Sequence, residues 1–451
     1  MSSTGRPPGP KGHWLWGHVG ELRGDMLEFF TRCARDYGDV VWLRFVDRNA
    51  VLVSHPDAIE QVLVHDHRNF TKNYALSFLR PVLGQGLLLS EGELWRRQRQ
   101  LTQPSFHRDR VAEFGPLIVD EAQQLYRSWS TGQTIDLHAE MVKLTLAVAA
   151  KALLGVELGD DYDTVFRSHL AILEHFRRRC ETTIRPPLWI PTENNRRLRR
   201  AVRDLQRLID RIIQERRAAG QQRDDVLSRL LQARDQDDGQ GMTDQQLRDE
   251  TMTMLMAGHE TTANALTFTC LLLAEHPEVE ARLLHELDEQ LGGRAPTVAD
   301  LPRLTYLEQV LKESLRLYPP AFAVGRRAIH DCQIGGYTIP AKTNVLISQW
   351  VVHHDERWFK RPWDFDPDRW TPERAEGLPK FAWFPFGAGP RRCIGSSLAM
   401  LEASLVLATI LPAVTLERIK AGPPQPWPTV TLRPVGNVHV RVAPREPALV
   451  R

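Results

Sequence analysis

Several features that define common protein classes are missing from this chain of 451 residues. Its five cysteines are odd in number and show no paired spacing, which is typical of a reducing compartment and not of a disulfide framework. They are Cys33, Cys180, Cys270, Cys332 and Cys393. The formal net charge is only +2, so the overall charge does not suggest a nucleic-acid partner.

The sequence also lacks the continuous apolar run of about 20 residues that a membrane-spanning helix requires. The first residues contain Trp14, Leu15 and Trp16 but no signal-peptide pattern. No Ser/Gly-rich linker and no internal repeat divides the chain, and the polar segment 235–241 is short enough to be a loop between helices. We therefore expect one soluble, cytoplasmic, monomeric domain over residues 1–451, with no fused reductase domain.

Helical patterns fill most of the chain, and short β-like runs lie towards both of its ends. These runs are 40–45, 50–54, 333–339, 344–348, 429–434 and 438–442. The pattern predicts a mainly α protein with a small β lobe, an α+β architecture. The longest helix candidate runs from Asp244 to Glu275, because Thr243 and Gln246 match a capping box and Pro277 follows the far end. Such a helix is about 48 Å long and must cross most of the domain.

One cysteine, Cys393, lies in a glycine- and arginine-rich segment, FGAGPRRCIG at residues 386–395, just before a helical pattern. Metals bind the thiolate and not the thiol, and a thiolate needs positive potential nearby. Arg391, Arg392 and the start of the following helix can supply that potential. The glycines allow backbone amides to approach the sulfur, and such hydrogen bonds temper the charge of a ligating sulfur.

Three roles are open to a lone cysteine in such a loop: nucleophile, buried free thiol or axial ligand of haem. No histidine in the loop offers the base that a nucleophile needs. No second cysteine or histidine follows at the short spacing of a zinc site. A single thiolate ligand to haem is the metal chemistry that remains.

The same segment matches the pattern Phe-x-x-Gly-x-Arg-x-Cys-x-Gly at each fixed position and resembles the haem-binding signature of the cytochrome P-450 family. The fixed positions are Phe386, Gly389, Arg391, Cys393 and Gly395. The resemblance extends over about residues 5–445 and implies the fold of that family, with the long helix crossing above the haem. It also implies haem b (iron protoporphyrin IX) as cofactor and Cys393 as the ligand of its iron.

The middle of the long predicted helix reads AGHETT, residues 257–262, and resembles the oxygen-activation motif of the family. Thr261 follows Ala257 by four residues, so its hydroxyl can donate to that carbonyl and bend the helix. Gly258 leaves a notch on nearly the same face. We expect Glu260 to face a solvent channel and to relay protons together with Thr261. The alternative to this functional interpretation is an ordinary core helix that contains threonines. A zinc site is not indicated, because the pattern His-Glu-x-x-His fails at residue 263, which is alanine.

Two further groups of residues take roles from the resemblance. Glu313 and Arg316 have a spacing that usually marks a solvated pair, but the family implies a buried network that includes Arg369 and supports the cysteine loop. The resemblance also implies haem-propionate ligands, for which we choose Arg327 in preference to Arg326. They are Trp95, Arg99, Arg327 and Arg391.

An apolar substrate pocket is expected on the distal side of the haem. Its predicted lining residues, besides Thr261, are Leu88, Ala257, Thr262, Ala321, Phe322, Ala323 and Val324. Such a lining favours a hydrophobic substrate, for example a fatty acid or a terpenoid. The segments FTKN (70–73), GLLLS (86–90) and QPSF (103–106) look most like bacterial fatty-acid hydroxylases and their microsomal relatives. The arginines at 177–179 and 185, near Trp189, are consistent with a solvated helix end, a substrate carboxylate or an anionic membrane.

The resemblance implies a monooxygenase that inserts one oxygen atom from O2 into a C–H bond. Electrons would come from NAD(P)H through a separate ferredoxin or flavodoxin. This acidic donor would dock on a basic proximal face that includes Arg96, Arg97 and Arg392, unless those side chains are simply solvated. A peroxide-driven peroxygenase and a haem sensor without turnover are the alternatives, and the pair Glu260–Thr261 counts against both.

Overall fold

The computed structural model describes residues 5–182, 185–220, 223–235, 239–420 and 422–445. Residues 236–238, in the polar segment predicted as an interhelical loop, lie outside this description. The α-helices of the described residues are α1 (Val19–Arg23), α2 (Met26–Tyr37), α3 (Pro56–Glu60), α4 (Arg80–Leu83), α5 (Gly92–Thr102), α6 (Arg108–Ala112), α7 (Gly115–Arg127), α8 (Leu137–Leu154), α9 (Tyr162–Glu181), α10 (Glu193–Ala219), α11 (Val226–Gln232), α12 (Asp244–Glu275), α13 (Pro277–Leu291), α14 (Thr305–Leu317), α15 (Gln349–His353), α16 (Pro372–Ala375) and α17 (Ser396–Ile410).

The strands are short and lie mainly towards the two ends of the chain, as predicted. They are β1 (Val40–Phe45), β2 (Arg48–Val53), β3 (Phe70–Lys72), β4 (Thr134–Asp136), β5 (Val324–Ala328), β6 (Cys332–Ile334), β7 (Tyr337–Ile339), β8 (Asn344–Ile347), β9 (Val414–Arg418), β10 (Pro426–Pro428), β11 (Leu432–Pro434) and β12 (His439–Pro444). The mainly α architecture with a small β lobe is therefore confirmed.

The central helix α12 has the bounds that the sequence predicts. The Thr243 hydroxyl accepts the amide of Gln246, and the Gln246 side chain accepts the amide of Thr243, so the capping box is complete. The helix packs along α8 and is buried over most of its circumference. Although it spans 32 residues, neither it nor any other helix in the described ranges is apolar enough to cross a bilayer.

The largest sheet combines strands from distant parts of the chain in the order β1-β2-β8-β5-β3. Strands β2 and β8 are parallel, with Val51 opposite Val345, and the other pairs are antiparallel. Side chains of a strand alternate between the two faces, so Val51 and Val53 enter one apolar core while Ala50 and Leu52 enter another. Because apolar cores cover both faces of the sheet, the sheet holds strand β5 rigidly.

A buried carboxylate, Glu313, organises the residues around the end of α14. It accepts two hydrogen bonds of 2.8 Å from Arg316, one of 3.0 Å from Arg369 and one of 3.0 Å from the indole of Trp370. Glu313 and Arg316 have no exposed side-chain surface. Charges this deeply buried are tolerated only when each is paired and hydrogen-bonded, as they are here.

Arg316 also connects this network to the segment that carries Cys393. Its guanidinium donates to the carbonyl of His353 at 2.8 Å, and the His353 imidazole accepts the amide of Phe384 at 3.1 Å. Burial holds the pKa of His353 well below its usual range, so the ring is neutral and keeps a lone pair for that amide. The start of the cysteine loop is thus attached to the core of the protein.

Replacing Glu313 by Gln removes the negative charge that Arg316 and Arg369 share. We expect the variant to lose about 3 kcal/mol or more of unfolding free energy, because removing one partner of a buried ion pair costs about 3–5 kcal/mol. The midpoints of urea unfolding of the two proteins measure this loss.

The matched control is Glu308→Gln on the same helix, which removes an exposed carboxylate that pairs with Lys312 at 2.7 Å. It should cost less than about 1 kcal/mol. Equal midpoints for Glu313→Gln and Glu308→Gln would contradict the structural role of Glu313.

Candidate active site

The segment before α17 forms a tight loop that presents Cys393. Gly387 and Gly389 have φ values of 67° and 66°, a left-handed conformation that favours glycine. A Cβ at Gly389 would lie 1.9 Å from the carbonyl oxygen of Leu63, so a side chain has no room there. The amide of Cys393 donates to the carbonyl of Phe386 at 2.9 Å and closes the loop. The glycines of the sequence motif are therefore explained by backbone conformation and close packing.

The Cys393 side chain has accessible surface although its sulfur lies deep inside the protein. Burial raises the pKa of the thiol, while the amide of Gly395 and the positive charges of Arg99 and Arg392 lower it. A sulfur that is both deep and accessible adjoins an interior space. The positive potential comes from Arg99 and Arg392, whereas the sequence suggested Arg391 and Arg392.

Arg391 points into a separate polar cluster beside α5. Its guanidinium pairs with Glu91, donates to the carbonyl of Ser90 at 3.3 Å and lies 4.5 Å from the ring centroid of Trp95. A planar guanidinium over an aromatic face gains a cation–π interaction. Trp95 and Arg391, two predicted cofactor ligands, are therefore neighbours.

Two further cations lie in the same cluster, Lys72, which is partly buried, and Arg326, which is buried. Burial lowers the pKa of Lys72 to about 7, and the positive charge of Arg391 acts in the same direction. Burial and Arg391 also lower the pKa of Arg326 to about 10. Glu91 is the carboxylate that acts on all three cations, so positive charge is in excess. A ligand that brings two carboxylates, as haem does with its propionates, fits this charge distribution.

The alternation of strand β5 decides between Arg326 and Arg327. Arg326 is buried beside Arg391, whereas the Nε of Arg327 lies on the more exposed side, 3.4 Å from the carbonyl of Lys342. Arg327, the predicted ligand, therefore faces away from the cluster and Arg326 faces into it, because neighbouring residues of a strand face opposite ways. Arg99 donates to the carbonyl of Arg392 at 2.9 Å and thus joins α5 to the cysteine loop.

The middle of α12 is open on one side. Ala257 is exposed and Thr261 partly exposed, although most neighbouring residues of the helix are buried. The Thr261 hydroxyl donates to the carbonyl of Ala257 at 3.0 Å, the bond that the sequence spacing predicts. A Cβ at Gly258 would lie 3.2 Å from Leu153, so this glycine allows α8 to approach closely and is not a notch open to solvent.

Glu260 lies on a different side of α12 from Thr261, inside a polar network. Its carboxylate contacts His169 of α9 at 2.7 Å and Arg433 of β11 at 3.3 Å. Burial alone raises the pKa of Glu260, but His169 and Arg433 outweigh burial and lower the pKa to about 2. The expectation that Glu260 faces a solvent channel is wrong for this conformation, because its side chain is 4% exposed.

His259 belongs to the same buried region and not to a metal site. Its Nδ1 lies 2.7 Å from the carbonyl of Leu255, and its ring meets that of His169 edge to face, with centroids 4.7 Å apart. Burial lowers the pKa of His259 to about 3. Within the described residues, no three His, Cys, Asp or Glu side chains form a group that could hold a metal ion.

The predicted pocket residues differ in their placement. Leu88 is 37% exposed, Ala321 is exposed, and Ala323 and Val324 are partly exposed. Thr262 is buried, with its hydroxyl 3.5 Å from the carbonyl of Gly258.

Phe322 is placed differently from its predicted pocket neighbours, because its ring is buried. It packs in the apolar core that contains Leu52 and Trp350. Its neighbours Ala321 and Ala323 are more exposed, so the Phe322 ring faces the opposite way from them.

Sequence reasoning missed several charged residues of the site. Lys72 lies in the FTKN segment that resembles the family, but nothing in that segment indicates a partly buried amine. Glu91, His169 and Arg433 come from parts of the chain that only the fold brings to Arg391 or Glu260. No local spacing could have revealed these contacts.

Comparison with known proteins identifies the family. The model of the family described as Cytochrome P450 matches residues 7–439. Cyclooctatin synthase of Streptomyces melanosporofaciens is 38% identical over 94% of this chain and 92% of its own length. Cyclooctat-9-en-7-ol 5-monooxygenase of the same organism is 38% identical over 90% of this chain and 88% of its own length. The crystal structure of the cytochrome P450DA heme domain superposes with a TM-score of 0.89 at 28% identity, covering 98% of both chains. This chain therefore belongs to the cytochrome P450 family, which implies a haem cofactor, and is a P450 monooxygenase.

Proposed function

We propose that this protein hydroxylates a hydrophobic terpenoid, with electrons from a separate ferredoxin or flavodoxin. The observation that carries the proposal is the accessible, deeply placed thiol of Cys393 beside a cluster of excess positive charge. No group of three metal-binding side chains surrounds it among the described residues, and one thiolate is the donor that haem needs from a protein. Cys393 would bind the iron, and Lys72, Arg326 and Arg391 would hold the propionates next to Trp95.

When bound, haem supplies the redox chemistry that uses O2, two electrons and two protons to hydroxylate a C–H bond and release water. The protein supplies the remaining components of the site. Thr261 holds its hydroxyl proton on the carbonyl of Ala257, so its oxygen lone pairs are free to accept a further hydrogen bond. The hydroxyl thus offers a polar atom for proton transfer on an otherwise apolar wall.

Glu260 is held in the charged form by its surroundings. Since its pKa is about 2, the carboxylate is an anion at neutral pH and accepts a proton only when its contact with His169 or Arg433 loosens. We propose that Glu260 supports proton delivery to Thr261 through such a rearrangement. His169 lies on α9, so the contact would couple movement of α9 to proton transfer.

The wall of the interior space and the relatives both favour a terpenoid. Leu88, Ala257, Ala321, Ala323 and Val324 offer hydrocarbon surface and no charge, which suits an apolar polycyclic molecule. The relatives named cyclooctatin synthase, cyclooctat-9-en-7-ol 5-monooxygenase and pentalenene oxygenase support the same class.

The electron donor would approach the face that carries Arg392. Arg392 is exposed next to Cys393, and Arg96 is exposed on α5, where it pairs with Glu93 at 2.8 Å. Arg97 is less available, because it contacts Asp235 at 3.1 Å and the carbonyl of Gln240 at 3.0 Å. An acidic ferredoxin or flavodoxin complements the remaining positive charge.

The proposed reaction predicts a specific isotope result. Holoenzyme supplied with a ferredoxin, its reductase, NADPH and a panel of cyclic sesquiterpenes and diterpenes under ¹⁸O2 should yield a product with one ¹⁸O atom. The Thr261→Ala variant should consume NADPH but form at least about tenfold less product per NADPH, since a side chain positioned for proton transfer contributes about 10²–10⁴-fold. Mass spectrometry and NADPH absorbance measure both quantities.

Thr261→Ser is the matched control, because it keeps the hydroxyl and should keep the coupling of NADPH to product. Three results would contradict the proposed function. They are ¹⁸O in the product from labelled water, product formation only when hydrogen peroxide is the oxidant, and an undiminished yield of product per NADPH in Thr261→Ala.

The charge cluster predicts which arginine retains the cofactor. Arg326→Ala should speed haem transfer to apomyoglobin at least about tenfold, because a buried hydrogen bond to a charged group contributes about 1.5–3 kcal/mol. Arg327→Ala is the matched control on the neighbouring residue and should leave the rate within about twofold of wild type. Equal rates for the two variants would contradict the assignment of Arg326.

A further inference from the structure

The segment 84–91 connects α4 to α5 and carries Leu88 without regular secondary structure of its own. Several of its backbone groups bond to charged side chains from elsewhere in the chain, and others bond within the segment and to α4. The amide of Gln85 donates to the carboxylate of Asp249 at 2.8 Å, and the amide of Leu87 donates to Glu250 at 3.0 Å. Both carboxylates belong to α12, so the central helix holds the segment on one side.

Lys72 holds the same segment from the other side. Its ammonium group donates to the carbonyl of Leu87 at 2.9 Å and to the carbonyl of Ser90 at 2.7 Å. Leu87 is therefore held through its amide by the carboxyl group of Glu250 and through its carbonyl by the amine of Lys72. Hydrogen bonds with one charged partner are about twice as strong as neutral ones. The residue that follows, Leu88, is therefore held in a defined position.

Two glycines make this close approach possible. A Cβ at Gly84 would lie 2.2 Å from the carboxylate of Asp249, and a Cβ at Gly86 would lie 2.1 Å from the hydroxyl of Thr253. Gly84 also has a positive φ of 53°. The alternation of glycines with amide-donating residues lays the segment directly on the surface of α12.

Glu250 is an unusual residue to find at this depth. It has no exposed surface, and its Oε1 has no hydrogen-bond partner within the described residues. Burial raises its pKa to about 7. Burying such a group costs free energy, so its bond to Leu87 must offset a substantial desolvation penalty.

The clamped segment and the oxygen-activation motif share one face of α12. Glu250, Ala257 and Thr261 follow one another at intervals of seven and four residues, which brings them to the same side of a helix. Glu250 and Ala257 are about 10 Å apart along the axis. A shift of the segment along this face would carry Leu88 towards or away from Ala257.

We propose that Asp249 and Glu250 are positioning residues that determine substrate selectivity, because they fix Leu88 in the wall of the substrate pocket. The link to selectivity rests on the proposed function of that pocket. The clamp itself is independent of the substrate, since its contacts are all within the protein. Lys72 completes the clamp from the opposite side.

Hydrogen exchange of the holoenzyme tests the clamp directly. At pH 8, above the pKa of Glu250, Glu250→Gln and Asp249→Asn replace each charged acceptor by a neutral side chain of nearly the same size. Peptides that cover residues 84–91 should exchange at least about tenfold faster in each variant, because bonds to a charged partner are being lost. Glu215→Gln, at an exposed position of α10, is the control and should leave these peptides unchanged.

Two azole probes test the consequence for selectivity in the same variants. The dissociation constants of 4-phenylimidazole and imidazole are read from the haem absorption spectrum. We expect the ratio of the two dissociation constants to change at least threefold in Glu250→Gln. The dissociation constant of imidazole, which is too small to reach Leu88, should stay within twofold of the wild-type value.

Unchanged exchange of residues 84–91 in both variants would overturn the clamp. Faster exchange with an unchanged ratio of the two dissociation constants would overturn its role in selectivity. If neither azole bound to the wild type, the haem site of the proposed function would be contradicted. The exchange result would still show whether the clamp exists.

Discussion

The position of the Cys393 sulfur depends on one buried carboxylate, that of Glu313. It pairs with both Arg316 and Arg369 in the protein interior, and Arg316 in turn donates to the carbonyl of His353. The neutral His353 ring receives the amide of Phe384, where the cysteine loop begins. A metal ligand must be held firmly, because a thiolate that moves loses both its geometry and its hydrogen bonds. Burying these charges is unfavourable by itself, and the contacts from Glu313 to Phe384 show that the buried charges hold the cysteine loop in place.

The central helix α12 performs three tasks along its length. Its first third holds the segment of Leu88 through Asp249 and Glu250, and its middle presents the Thr261 hydroxyl beside Ala257. Another side of the same middle section carries Glu260 into contact with two further elements. A long helix that is buried on most sides can position all three groups relative to one another, since it deforms little.

Much of this fold could be predicted from the sequence, because its signals are local. The capping box of Thr243 and Gln246, the alternating strands and the glycines at 387 and 389 each follow from short-range chemistry. The contacts of Glu260 could not be predicted, because His169 and Arg433 approach it from elements far away in the chain. The choice between Arg326 and Arg327 depends on the register of β5, where a shift of one residue reverses the side that a residue faces. Phe322 shows the same limit, since hydrophobicity alone does not distinguish a pocket wall from a core.

The most direct test of the central claim is the absorption spectrum of the reduced holoenzyme under carbon monoxide. Wild type should show the long-wavelength Soret band that an axial thiolate produces, and Cys393→His should lose that band. Cys332→Ser, at a half-buried cysteine of β6, should keep the wild-type band. A thiolate band that persists in Cys393→His, or that is missing from wild type, would contradict the assignment of Cys393 as the ligand.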